Sequence, residues 1–124
     1  MRESIAKVWV DALRSDDYKQ GTDYLCKDNH YCCLGVLCDL YEKETNAIGF
    51  KRVKTSVRGD DTAFYGGCHE TLPAEVVEWA EMSSHIGSYV SRCTDYQHSL
   101  AELNDEGHAF EELADIIEVE YEQL

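Results

Sequence analysis

The sequence predicts a single α+β domain, with about four to five helices and short antiparallel β-hairpins between them. Three observations carry this. Amphipathic segments with a helical period lie at both ends of the chain. Turn-bounded runs of β-branched and aromatic residues lie between them. The length of 124 residues suits one domain, spanning 1–124, that buries a core without staples. Hydrophobic residues make up 44% and aromatics 10%, which excludes a disordered chain.

The first helix is expected from Ile5 to about Arg14, with Ser4 as its cap. Ile5, Val8, Trp9, Ala12 and Leu13 recur at the spacing of one buried face. Ser15-Asp16-Asp17 offers the backbone competing side-chain hydrogen bonds and ends it. Tyr24–Cys26 and Tyr31–Cys32 read as paired strands around the turn Lys27-Asp28-Asn29-His30. A nearly continuous apolar run then predicts a central helix from about Cys33 to Lys43. Gly35 inside it costs about 1 kcal/mol relative to alanine, so something is expected to pack closely on its backbone. Ile48–Val57 and Ala63–Tyr65 read as a hairpin around Arg58-Gly59-Asp60-Asp61.

Pro73, the only proline, suits the start of a third helix running to about Met82. That helix is expected to bury Val76, Val77, Trp79 and Ala80 and to expose Glu75, Glu78 and Glu81. Gly87–Val90 is a possible strand in the least legible stretch, 83–98. Ser99 and Glu102 form a capping box that opens a short helix, and Gly107 suits its left-handed end. The last helix is expected from about Ala109 to Tyr121, with Phe110, Leu113, Ala114, Ile117 and Tyr121 buried.

The net charge is −14, and it is unevenly placed. Residues 1–62 hold 10 Lys+Arg against 11 Asp+Glu, whereas residues 63–124 hold Arg92 alone against 14. Glu111, Asp115, Glu118 and Glu122 stand at i, i+4, i+7 and i+11 on the last helix, one acidic face without an intervening lysine. Together with Glu75, Glu78, Glu81 and Glu102 they form a candidate surface for docking a basic partner or imitating nucleic-acid phosphates. The bland alternative is a solvated face that keeps the chain soluble.

Lys51, Arg52, Lys54 and Arg58 concentrate the positive charge on one predicted hairpin. With Tyr65 and Arg92 they form a candidate site for a small anionic ligand such as a nucleotide. Direct nucleic-acid binding is not expected at this net charge, because duplex affinity rests on neutralising phosphates.

Cysteine chemistry is less favoured. The spacing of Cys26, Cys32, Cys33 and Cys38 lacks the paired short knuckles of structural zinc, and small core residues explain them. Cys68-His69-Glu70 precedes a helix start, a place that favours thiolates, yet adjacent residues seldom face each other. No catalytic residue, metal or cofactor is therefore assigned, and an enzyme is not expected. No apolar run approaches a membrane span, and the charged N-terminal segment is unlike a secretory signal, so a cytoplasmic location is expected with reduced thiols.

The blocks WVDALRSDDYKQ, YCCLGVLCDLYEKET, LPAEVVEWA and LAELNDEGHAFEELADIIE resemble a family of small uncharacterised proteins of bacteriophages, prophages and other mobile elements. They cover most of the chain, with 46–70 and 83–98 as the variable parts. The resemblance carries no active site. It implies an accessory protein acting inside an infected bacterium, and together with the charge split it leads to the expectation of a protein that binds and inhibits a host defence protein, such as a nuclease, through the acidic surface. Sequestering a small anionic signal is the alternative.

Overall fold

In the computed structural model, which describes residues 1–124, the elements follow in the order α1 (Glu3–Arg14), β1 (Lys19–Gln20), β2 (Cys26–Lys27), β3 (His30–Tyr31), α2 (Cys33–Thr45), β4 (Lys51–Thr55), β5 (Asp61–Tyr65), α3 (Ala74–Ala80), β6 (Ser88–Val90), β7 (Gln97–Ser99), α4 (Leu100–Asp105) and α5 (Phe110–Glu120). This is the expected α+β class. One sheet has the strand order β1-β3-β2-β5-β4, and β6 pairs with β7 in a second. All neighbours are antiparallel except β1 and β3, which run parallel.

Helix α2 is the centre of the molecule. Cys33 through Cys38 are all buried because neighbouring elements cover it on several sides. The close approach expected at Gly35 is the Leu25 carbonyl: a Cβ there would lie 1.7 Å from the Leu25 oxygen. The β2–β3 hairpin turns through Asp28 and Asn29, both at positive φ (51° and 62°). Asn and Asp tolerate this conformation better than other side chains, and it matches the twist of a tight hairpin.

Helix α1 begins two residues earlier than expected. Its N-cap is Arg2 and makes no side-chain cap bond, so Ser4 lies inside the helix. Val10, not Val8, joins Ile5, Trp9 and Leu13 in the core, and Val8 is half exposed. The buried stripe is shifted because α1 packs mainly against α5 and only secondarily against α2. The Trp9 indole N–H donates to the Cys33 carbonyl at 2.9 Å.

The expected strand 48–57 contracts to Lys51–Thr55, with Ile48 and Val57 fully exposed. Pro73 is the N-cap of α3 rather than its first residue, and Trp79 and Val77 are only half-buried. The capping box at Ser99 is present, its hydroxyl accepting from the Glu102 N–H at 3.1 Å.

Asn104 is fully buried and ties three distant segments together. Its carbonyl accepts from the Cys33 N–H (3.1 Å) and the Gln20 amide (3.0 Å), and its amide donates to Gly21 O (2.9 Å). Asn104→Ala orphans those partners, each costing about 1–3 kcal/mol when buried. Thermal denaturation should show a large loss of stability. A near-unchanged melting temperature would mean that water replaces the amide.

Candidate functional site

The pleat of the five-stranded sheet sorts its side chains into two faces. On β5, Ala63 and Tyr65 are buried and Phe64 is half-exposed, so odd positions face the core and even positions face outward. The register extends this across the sheet. Lys54 pairs with Thr62, Thr62 with Lys27, Lys27 with His30, and His30 with Lys19. These five residues form one outward-facing rung across all five strands. Arg52, paired with Phe64, stands on the same face.

Aromatic rings and cations interleave there. Lys54 lies 5.0 Å from the Phe64 ring centre, and Lys27 lies 5.0 Å from that of Tyr24. The His69 ring stands between them, 4.8 Å from Phe64 and 6.0 Å from Tyr24. A shallow hollow of ≈ 250 Å³ opens beside Tyr24, Thr62 and His69, and one of ≈ 460 Å³ opens beside Arg52, Gly66 and Gly67; Phe64 and Lys54 border both.

The ion pairs divide the cations by location. Arg2, Lys7, Arg14, Lys43 and Arg92 each have a carboxylate within 4.0 Å. The other six, Lys19, Lys27, Lys51, Arg52, Lys54 and Arg58, have none, and all belong to the sheet or its β4–β5 turn. With 25 carboxylates in the chain, six unpaired cations on one element are not a matter of supply. The nearby carboxylates are otherwise engaged. Asp28 accepts from the Asp61 N–H at 2.8 Å, and Asp61 accepts from the Thr55 hydroxyl at 2.6 Å.

The expected ligand residues divide. Arg52 and Lys54 are on the outer face, with Arg58 exposed in the adjoining turn. Lys51 and Tyr65 are on the inner face, because Lys51 pairs with the fully buried Tyr65. Arg92 lies elsewhere, 3.6 Å from the buried carboxylate of Glu120. Lys19, Lys27, His30, Tyr24, Phe64 and His69 were not expected at the site. Only strand register brings them together.

Lys51 Nζ lies 5.5 Å from the ring centres of Tyr31 and Tyr65 and donates to the Tyr31 hydroxyl at 3.3 Å. The Tyr65 hydroxyl is buried without a hydrogen-bond partner, and burial pushes its pKa far up. Next to this group, Tyr18 donates to Asp39 at 2.5 Å, and Lys43 bonds Asp39 at 3.0 Å. Burial first, then the Asp39 carboxylate, push the Tyr18 phenol up to about 12. A raised folded pKa gives stability that is complete below the unfolded value near 10 and is lost as pH rises through about 12. Denaturant midpoints should fall across that window, and Tyr18→Phe should flatten the fall. An unaltered alkaline slope in the variant would exclude Tyr18 as its source.

The acidic residues do not form the uncompensated stripe read from sequence. Arg14 of α1 forks onto Asp115 Oδ1 (2.6 Å) and Glu118 Oε2 (2.7 Å), tying α1 to α5. Glu81 pairs with Arg2 at 3.4 Å. Glu75, Glu78, Glu102, Glu111 and Glu122 remain exposed with no Lys, Arg or His within 4.0 Å.

Cys26, Cys32, Cys33 and Cys38 are buried, and burial raises the pKa of each thiol. Cys68 packs against the core, whereas the His69 ring stands against Phe64 and Tyr24, so the two do not form a pair. No three His, Cys, Asp or Glu side chains gather as a metal site. No helix is long and apolar enough to cross a membrane.

Fold and surface together define an acidic α+β domain whose small sheet presents a cationic, aromatic face. The chain belongs to the family described as Domain of unknown function (DUF8296), which matches residues 1–121. No curated protein and no solved structure matches it.

Proposed function

We propose that this chain is a binding protein that holds an anionic ligand bearing a flat ring, of the nucleotide class, on the outer face of its five-stranded sheet. The observation that carries this is the set of unpaired cations on that face, Lys19, Lys27, Arg52 and Lys54, with Arg58 in the adjoining turn, in a chain with 25 carboxylates. Phe64 and Tyr24 offer ring faces, and Lys27, Arg52 and Lys54 offer charge beside them. In the mobile-element setting implied by the sequence blocks, such a protein withholds its ligand from a host system. The net charge of −14 does not decide anion binding at the sheet, because exposed charges separated by more than about 8 Å are largely screened at physiological salt and the local cations govern.

A thermal-shift panel of mono- and dinucleotides, cyclic nucleotides and oligonucleotides tests the reading. Stabilisation by at least one class is expected, and Arg52→Ala with Lys54→Ala should abolish it. No stabilisation by any compound would refute it.

A second reading keeps the acidic helices as a dock for a basic host protein, supported by the five unpaired glutamates of α3 and α5, of α4, and of the residue following α5's last turn. Its test is Glu111→Lys with Glu122→Lys. Reversing Asp115 and Glu118 instead would also break the Arg14 fork.

A further inference from the structure

Resting on the sheet-face reading, we infer that the ligand is single-stranded nucleic acid rather than a mononucleotide. The rung Lys54–Thr62–Lys27–His30–Lys19 crosses five strands. At about 4.8 Å between neighbouring strands, it extends over roughly 19 Å. Lys54, Lys27 and Lys19 stand on separate strands along it, too far apart for the phosphates of one nucleotide to meet all three. A site for a small molecule is concave and encloses most of its ligand. Here Phe64 and Lys54 stand as a ridge between two shallow hollows. An open face of this kind gains affinity from repeated modest contacts along a polymer.

The alternation of rings and cations fits a polymer that alternates bases and phosphates. Successive bases stack on half-exposed aromatic rings while lysines track the backbone. Phe64 and Tyr24 supply two such rings, with the His69 ring between them. A duplex hides its base faces in its own stack and cannot use them. Carboxylates border the face along the strand direction, with Asp28 and Asp61 next to Lys27 and Thr62 of the rung and two more by the rings. Glu70 is 3.8 Å from His69, and Glu75 reaches behind Gly66, where a Cβ would lie 2.8 Å from its Oε2. The backbone would follow the lysines of the rung, from Lys54 through Lys27 to Lys19. Ring and charge can be varied separately here, because Phe64 is only half-buried and Lys27 and Lys54 have no ion-pair partner to lose.

The test is fluorescence anisotropy at low salt with labelled oligothymidylate and oligouridylate of about 4, 8 and 12 nucleotides. Duplex DNA of equal length, ATP and a cyclic dinucleotide are the comparison probes. Affinity is expected to rise with length to a plateau, with a slope of log K against log salt of roughly −2 for about three phosphate contacts. Phe64→Ala should weaken binding about tenfold or more. Phe64→Leu, which keeps the apolar packing but not the stacking face, should do nearly the same, so a folding defect in the first does not decide the matter. Binding of ATP or the cyclic dinucleotide without length-dependent oligonucleotide binding would overturn this inference and leave the sheet-face reading standing. Equal affinity for duplex, or full affinity in Phe64→Leu, would also overturn it. Binding of none of the probes would overturn both.

Discussion

Gly35→Ala should prevent this chain from folding. A Cβ at that position would lie 1.7 Å from the Leu25 oxygen, 2.6 Å from its carbonyl carbon and 3.1 Å from its Cα. All three are backbone atoms, so no side-chain rotation relieves the clash. The Leu25 peptide is also held from both sides: its N–H donates to His69 O at 2.7 Å, and its carbonyl accepts from Cys32 N–H at 3.2 Å. Relief requires moving β2 away from α2, through a core in which Leu25, Leu34, Val36 and Cys38 are fully buried. Overpacking by extra methylenes costs about 1–3 kcal/mol where side chains can adjust. A clash with pinned backbone costs more, against a total stability of about 5–15 kcal/mol. Gly67→Ala is the contrast. Gly67 has φ +86° and open space around its Cβ position, so only the left-handed backbone is penalised, by about 1–2 kcal/mol. Circular dichroism melts of the two variants test this, and a Gly35→Ala protein melting near the parent would mean the α2–β2 contact is looser than described.

The second large effect concerns binding. Lys27→Glu with Lys54→Glu places two carboxylates where the rung holds two unpaired cations, flanking Thr62 on either side. Oligonucleotide affinity at low salt should fall about a hundredfold or more, because two phosphate contacts become repulsions. The fold should persist, since neither lysine has an ion-pair partner and Lys54 is exposed. Lys7→Glu serves as the control: it changes the net charge as much as Lys54→Glu does, but on α1, where Lys7 pairs with Glu3 at 3.4 Å. Equal losses in Lys7→Glu and Lys54→Glu would mean that total charge, and not the sheet, governs binding.

Much of the helical framework is legible in the sequence, because helix caps and apolar periods are local signals. Ser99 and Glu102 announce α4, and the apolar run after Cys32 announces a central α2 whose glycine must touch something. The site is not legible, because it is made by register. Lys19, Lys27, His30, Lys54 and Thr62 are scattered over two hairpins and a two-residue strand. Lys-Gln carries no strand signature, so β1 has no trace before its parallel partner β3 is in place. Alternation along 51–54 is readable, but which face meets α2 is not. Lys51 and Tyr65 therefore look as available as Arg52 and Lys54 until the core is seen. On α5 the i, i+4, i+7 spacing correctly aligns Asp115 and Glu118, and only the packing of α1 supplies the arginine that joins them.

The Gln20–Asn104 contact bears on the order in which the chain assembles. Gln20, in β1, is held by the Asn104 side chain, by the His108 carbonyl and by the Phe110 N–H, partners 84 to 90 positions downstream. Contacts of such long range form late, after the loops between them have closed. During synthesis, β1 and its lysine lack their anchor until the acidic C-terminal half has left the ribosome. The cationic rung is thus completed only once its negative counterweight is present.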